Sequence, residues 1–135
     1  MKRVYTFGHE QVERNITVAD MIENKKNNIK MTQVTAANQE ESEVLAESDI
    51  DMIITGSDWY KDVRKGAPNT FITAALFAGR FITHEEILRG AFDAVMAGAD
   101  SVLTPRSYDV VEMLAKEGMQ VQGHVGMVPS LATKY

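Results

Sequence analysis

The residues of this chain best suited to chemistry fall at the ends of apolar runs. His124 lies between two glycines in Gly123-His124-Val125-Gly126-Met127-Val128-Pro129, directly after Met119-Gln120-Val121. An imidazole titrates near neutrality and can accept or return a proton, while flanking glycines let the main chain turn tightly or approach a ligand closely. Asp58 closes Thr55-Gly56-Ser57-Asp58 and brings a carboxylate to the same kind of position. Ser57, the Gly56 backbone and Thr35 offer polar contacts to a substrate. Arg80 and Arg106 present planar forks that match a small carboxylate or phosphate through paired, charge-assisted hydrogen bonds.

These groups need elements that bring them together, and the chain alternates strand-like with helix-like stretches. Residues 17–26 predict a helix, with Val18, Met21 and Ile22 on one face, Thr17 as N-cap and Asp20 in a capping-box position. Strands are expected over 29–35, 51–55, 70–75, 100–104 and 119–121. A helix over 38–47 should turn Val44 and Leu45 inward, and residues 58–65 read as a polar link before the turn Gly66-Ala67-Pro68-Asn69. Thr83-His84-Glu85-Glu86 is a capping box that starts a helix with the stripe Ile87, Leu88, Ala91, Phe92, Val95 and Met96, closed at Gly98. His84 is then a surface residue, and a last helix spans 107–117. Right-handed crossovers place every strand's C-terminal end on one side of the sheet, so Thr35, Gly56, Ser57, Asp58, Arg80, Arg106 and His124 share one rim.

Composition narrows the chemistry. With no cysteine among 135 residues, this chain can form no disulfide, thiolate nucleophile or zinc-thiolate site. A net charge of -5 with scattered basic residues speaks against a nucleic-acid surface. No apolar run approaches the length of a membrane span, and the N-terminus lacks a secretory apolar region, so a cytoplasmic location is expected. Ser57, Asp58 and His124 make no hydrolase triad, since no Gly-x-Ser-x-Gly elbow occurs. Glycines 118, 123 and 126 do not form a dinucleotide-binding fingerprint.

The order of the rim segments resembles that of the ketopantoate hydroxymethyltransferase family, within the phosphoenolpyruvate mutase/isocitrate lyase superfamily of (β/α)8 TIM barrels. The resemblance runs through Val34-Thr35-Ala36-Ala37-Asn38, Thr55-Gly56-Ser57-Asp58, Val63-Arg64-Lys65-Gly66-Ala67-Pro68-Asn69, Val95-Met96-Ala97-Gly98-Ala99-Asp100, and Gly123 to Pro129. It implies an α/β fold with a parallel sheet, and a transferase that holds a 2-oxo acid on magnesium, enolises it and adds a one-carbon unit from tetrahydrofolate. A metal favours that step by neutralising the enolate oxygen. The family's Gly-Asp-Ser stands here as Gly56-Ser57-Asp58, its aspartate after the third strand falls at Ala75, and its lysine and glutamate after the fourth fall at Leu103 and Pro105. The resemblance thus leaves His124 and Asp58 as catalytic candidates and Asp58 as the one metal candidate, and the family's lid is replaced by residues 59–63.

A complete barrel of this type needs about 250 residues. The expectation is therefore one barrel-derived domain over 1–135, with residues 1–15 as an N-terminal extension and an incomplete barrel of about five strands. Open edges favour pairing with another copy, a homo-oligomer, over a sheet rearranged into an open doubly wound form or a sequence that is only part of a longer protein. Three functions follow as expectations: an enzyme that binds or transforms a small 2-oxo acid or related carboxylate, a catalytically silent relative serving as a binding or oligomeric scaffold, or a truncated barrel half whose chemistry lies elsewhere.

Overall fold

A computed structural model describes residues 1–129; the last six residues of the expected 1–135 domain lie outside the described residues. Five strands, β3 (Gln33–Thr35), β4 (Met52–Gly56), β5 (Phe71–Ala75), β6 (Ser101–Thr104) and β7 (Val121–Gly123), form one parallel sheet in sequence order. Helices α1 (Val18–Lys26), α2 (Gln39–Ala46), α3 (Tyr60–Gly66), α4 (His84–Met96) and α5 (Tyr108–Lys116) alternate with them. The N-terminal extension is a hairpin: β1 (Lys2–Tyr5) pairs antiparallel with β2 (Gln11–Arg14). Among the described residues β3 and β7 do not pair, so the sheet is an unclosed, barrel-like wall.

Alternation along the strands sorts the two faces. Ile53, Ile72, Ala74 and Val102 point to the helices and are fully buried, the first two with Ala36, Val63 and Ala67, the others with Ile87, Ala91 and Leu114. On the concave face, Gln33 of β3 and Gln122 of β7 bond reciprocally through their amides, Nε2 to Oε1 at 3.4 and 3.3 Å. Gln33 Nε2 also donates to Thr73 Oγ1 at 3.3 Å, and the Thr73 and Ser101 hydroxyls lie 2.7 Å apart. The two edge strands thus meet across the curve. A layer built from β3, β5 and β7 is the alternate-strand layering of a TIM-barrel interior, here with polar members.

The N-terminal end of the sheet is held by ions. Arg14, 3% exposed, donates Nε to Asp100 Oδ1 at 2.6 Å, and Arg64 donates Nη2 to Asp100 Oδ2 at 2.6 Å. Asp100 Oδ2 also accepts the Ile72 amide at 2.9 Å. Arg64 Nη1 reaches the Thr70 and Ala67 carbonyls at 2.7 and 2.9 Å, and Arg14 Nη1 the Pro68 carbonyl at 3.0 Å. Burial pushes the Arg64 guanidinium down to about 10, against the opposing pull of Asp100.

Several boundaries differ from expectation. Both capping boxes, Thr17/Asp20 and Thr83/Glu86, are formed. Residues 58–65, expected as a polar link, are largely helix α3, because Tyr60, Val63 and Gly66 bury one side against the sheet and α2. In α2 Leu45 packs against the core as expected and Ser42 is fully buried, while Val44, expected inward, is 70% exposed. Gly66 sets that contact: a Cβ there would meet Ser42 Oγ at 2.2 Å and the Gln39 carbonyl at 2.3 Å. Strand β3 begins at Gln33 rather than 29, since Asn27, Asn28 and Ile29 donate back to Glu23, Lys25 and Asn24 to finish α1. Strand β7 starts at Val121 because Met119 still bonds to the Leu114 carbonyl.

Candidate functional site at the C-terminal rim

Every residue expected at the rim lies at or just past the C-terminal end of a strand. At β4 the ladder continues one step, the Ser57 amide donating to the Ala75 carbonyl at 3.1 Å, before Trp59 N turns back to the Gly56 carbonyl at 3.0 Å. This turn exposes Asp58. The Ser57 Oγ is shielded from solvent, yet it has no hydrogen-bond partner among the described residues, as is also true of Thr55 Oγ1. A buried hydroxyl left unpaired costs about 1–3 kcal/mol.

Past β5, the Phe77 carbonyl accepts from the Arg80 and Phe81 amides at 3.0 and 3.2 Å, forming a turn that returns Arg80 over β4. There the Arg80 guanidinium pairs with the Asp58 carboxylate, and both side chains are about half-exposed, 56% and 48%. Arg80 also lies 5.6 Å from the Phe81 ring centroid. Two residues proposed for one site therefore hold each other. Arg106 is directed elsewhere: its amide donates to Thr104 Oγ1 and its Nη2 to the Ile82 carbonyl, both at 3.2 Å. His124 follows β7 directly and is anchored by its amide to the Thr104 carbonyl at 3.1 Å, leaving the residue exposed. Among the described residues no hydrogen bond joins its ring to Ser57 or Asp58. Thr35 is exposed at the end of edge strand β3.

Two rim residues were missed in the sequence. A Cβ on Gly56 would come within 3.0 Å of both the Phe77 ring and the Trp59 ring, and these aromatics are 48% and 44% exposed. The available signal was Trp59 itself, the only tryptophan of the chain, placed straight after a strand end.

The donor set does not fit magnesium. That ion requires near-octahedral oxygen ligation, commonly with one or two carboxylates. Among the described residues no three His, Asp or Glu side chains gather into a metal-holding group. Asp58 is engaged by Arg80, while Ala75 and Leu103, side by side on β5 and β6, bring no side-chain oxygen. A cavity of about 400 Å³ lined by Tyr5, Phe7, His9 and Gln120 lies at the opposite end, under the hairpin.

Comparison with known proteins decides the kinship. The 3-methyl-2-oxobutanoate hydroxymethyltransferase of Deinococcus radiodurans is 40% identical over 78 residues, covering 53% of this chain and 28% of that protein. The enzyme of the same name from Ignicoccus hospitalis is 27% identical over 141 residues, covering 86% of this chain and 54% of its own length. That from Kosmotoga olearia is 29% identical over 131 residues, covering 78% and 49%. The chain is ketopantoate hydroxymethyltransferase-like. In the longer of these alignments the chain spans about half the length of the curated relatives it matches. No family model matches it. Among solved structures, an aldo-keto reductase from a Medee basin deep-sea metagenome library aligns over 78% of this chain and 50% of its own at TM-score 0.49 and 16% identity, too distant to bear on fold or activity. Among the described residues no helix is long and apolar enough to cross a membrane.

Proposed function

We propose that the C-terminal rim binds a small 2-oxo acid of the kind in the relatives' names, 3-methyl-2-oxobutanoate, as part of a ketopantoate hydroxymethyltransferase-like activity. The observation that carries this reading is the shielded Ser57 hydroxyl without a partner, next in sequence to the Asp58 that Arg80 engages. A substrate oxygen accepting from Ser57 would satisfy that hydroxyl, while the substrate carboxylate would meet Arg80 in place of Asp58. His124, at the end of β7, is the proton-handling group of this reading. No step is assigned to a metal, because the donor set around Asp58 does not suit one.

Calorimetric titration of 3-methyl-2-oxobutanoate, with and without magnesium, tests the reading. Saturable heat is expected, and Ser57→Ala should weaken binding about tenfold, the worth of a hydrogen bond to a charged group. No heat under either condition refutes it. The pairing of Asp58 with Arg80 favours a second reading, binding without turnover by a silent scaffold that covers the β3 and β7 edges with another copy. Binding without exchange of the substrate's C3 proton in deuterated buffer, by a chain whose solution mass is a multiple of one copy, supports that reading. Exchange that His124→Ala abolishes supports the enzyme.

A further inference from the structure

The Asp58–Arg80 pair lies at the C-terminal rim, and its degree of exposure matters. With both side chains about half-exposed, such a pair is worth about 0–1 kcal/mol. Its geometry is nevertheless supported: the Arg80 and Phe81 amides share the Phe77 carbonyl, and the guanidinium rests near the Phe81 ring. Arg80 is thus a positioned cation whose present partner is a weakly held carboxylate. Beside it stand Trp59, next in sequence to Asp58, and Phe77, three residues before Arg80; their rings close over Gly56 and remain about half-exposed. The glycine lets both rings lie close, since a Cβ in its place would press on each at 3.0 Å and push it outward. One charged contact and one apolar contact are therefore offered side by side.

We propose that the Asp58 carboxylate is an internal stand-in for a ligand carboxylate on Arg80, displaced when an acid bearing an apolar branch lays that branch against Trp59 and Phe77. The inference rests on the rim reading above for where the ligand sits, and adds what it exchanges with and what selects it. Asp58 becomes a competitor whose removal strengthens binding, the opposite of what a metal ligand or catalytic base would show. The two aromatics set specificity by rewarding branch size. A carboxylate without a branch gains Arg80 alone, whereas a branched one also covers apolar ring surface at ~0.8 kcal/mol per buried methylene.

Because Trp59 is the only tryptophan, its emission reports on the site directly. The probe is 3-methylbutanoate, which lacks the 2-oxo group, compared with acetate. A saturable change in Trp59 emission is expected with 3-methylbutanoate, with acetate about tenfold weaker, because the three extra carbons are covered on one side only and gain about half of the full burial value. Asp58→Asn should tighten 3-methylbutanoate about fivefold, the factor equivalent to an exposed ion pair. Arg80→Gln should abolish the response. Asp62→Asn removes a nearby carboxylate that pairs with Lys65 at 2.7 Å, and controls for net charge alone; it should change affinity by less than about twofold.

Equal affinity for the two acids overturns the proposal, as does unchanged or weaker binding by Asp58→Asn, an equal gain from Asp62→Asn, or no saturable response in any variant. Heat from 3-methyl-2-oxobutanoate without a gain in Asp58→Asn defeats the exchange and leaves the rim reading intact. A gain with 3-methylbutanoate, with no heat from the 2-oxo acid, does the reverse.

Discussion

The two ends of the sheet each carry arginine–aspartate pairs and use them differently. At the N-terminal end Asp100 bridges Arg14 and Arg64 from within, and carbonyls of the β5 approach take up further guanidinium hydrogens. At the C-terminal rim Asp58 and Arg80 meet half in water, beside a hydroxyl with no partner and two half-exposed rings. Burial decides the role. Charges removed from water must be fully partnered and thereby fix geometry, whereas an exposed pair adds little and can exchange partners. A barrel-type sheet keeps stability at one end and ligand chemistry at the other, and here the same residue types stand at both ends.

Removing Asp100 should break the comparison most forcibly. Asp100→Ala leaves Arg14 and Arg64 buried without a counter-charge, and an expected loss of about 3–5 kcal/mol would appear as a lower midpoint in urea unfolding. A loss below about 1 kcal/mol would mean the buried network holds no more tightly than the rim. Gly66→Ala should cost about 1–3 kcal/mol through overpacking between α2 and α3. Adding Ser42→Ala should not restore it, because the Gln39 carbonyl, 2.3 Å from the new Cβ, belongs to the backbone and cannot swing away.

How much of this was legible follows the range of the interactions. The boxes starting α1 and α4 could be read because cap and acceptor lie three residues apart. Strands β4 to β6 were legible from continuous apolar or β-branched runs, as parallel strands covered by helices require. Helix α3 was missed because its inward residues are separated by charged ones and it is short. The hairpin of residues 1–15 was missed because its alternation is almost wholly between polar residues. The resemblance singled out the segment containing Arg64 without showing its task, which depends on Asp100, 36 residues away. Rim membership followed from topology alone. The pairing of Asp58 with Arg80, 22 residues apart, and the closing of Trp59 and Phe77 over Gly56 depend on loop turns that no local pattern announces.

Acid should separate a third kind of pair, local and exposed, from the buried network. Lys2, together with bonds from the Thr17 hydroxyl and amide, holds the Asp20 carboxyl at about 2, below its ordinary 3.8. The folded state thus binds this proton less readily than the unfolded one, so the stabilisation is complete above about pH 4 and is lost as pH falls towards 2. Amide exchange in β1 and the first turn of α1 should rise over that interval, and Asp20→Asn should remove the rise.

The smallest expected effect tests the comparison most closely. Asp58→Ala should alter unfolding free energy by no more than about 1 kcal/mol, and its coupling to Arg80→Ala in a double-mutant cycle should be no larger than about 1 kcal/mol. The corresponding cycle between Asp100 and Arg64 should give several times that value, because there each partner leaves the other charged and dehydrated. If the two cycles agree, partial exposure has not loosened the rim pair, and Asp58 cannot yield its place on Arg80 to an incoming carboxylate. If they differ as expected, the weakness of the rim pair is what leaves Arg80 available, and stability measured without ligand has located the binding end of the sheet.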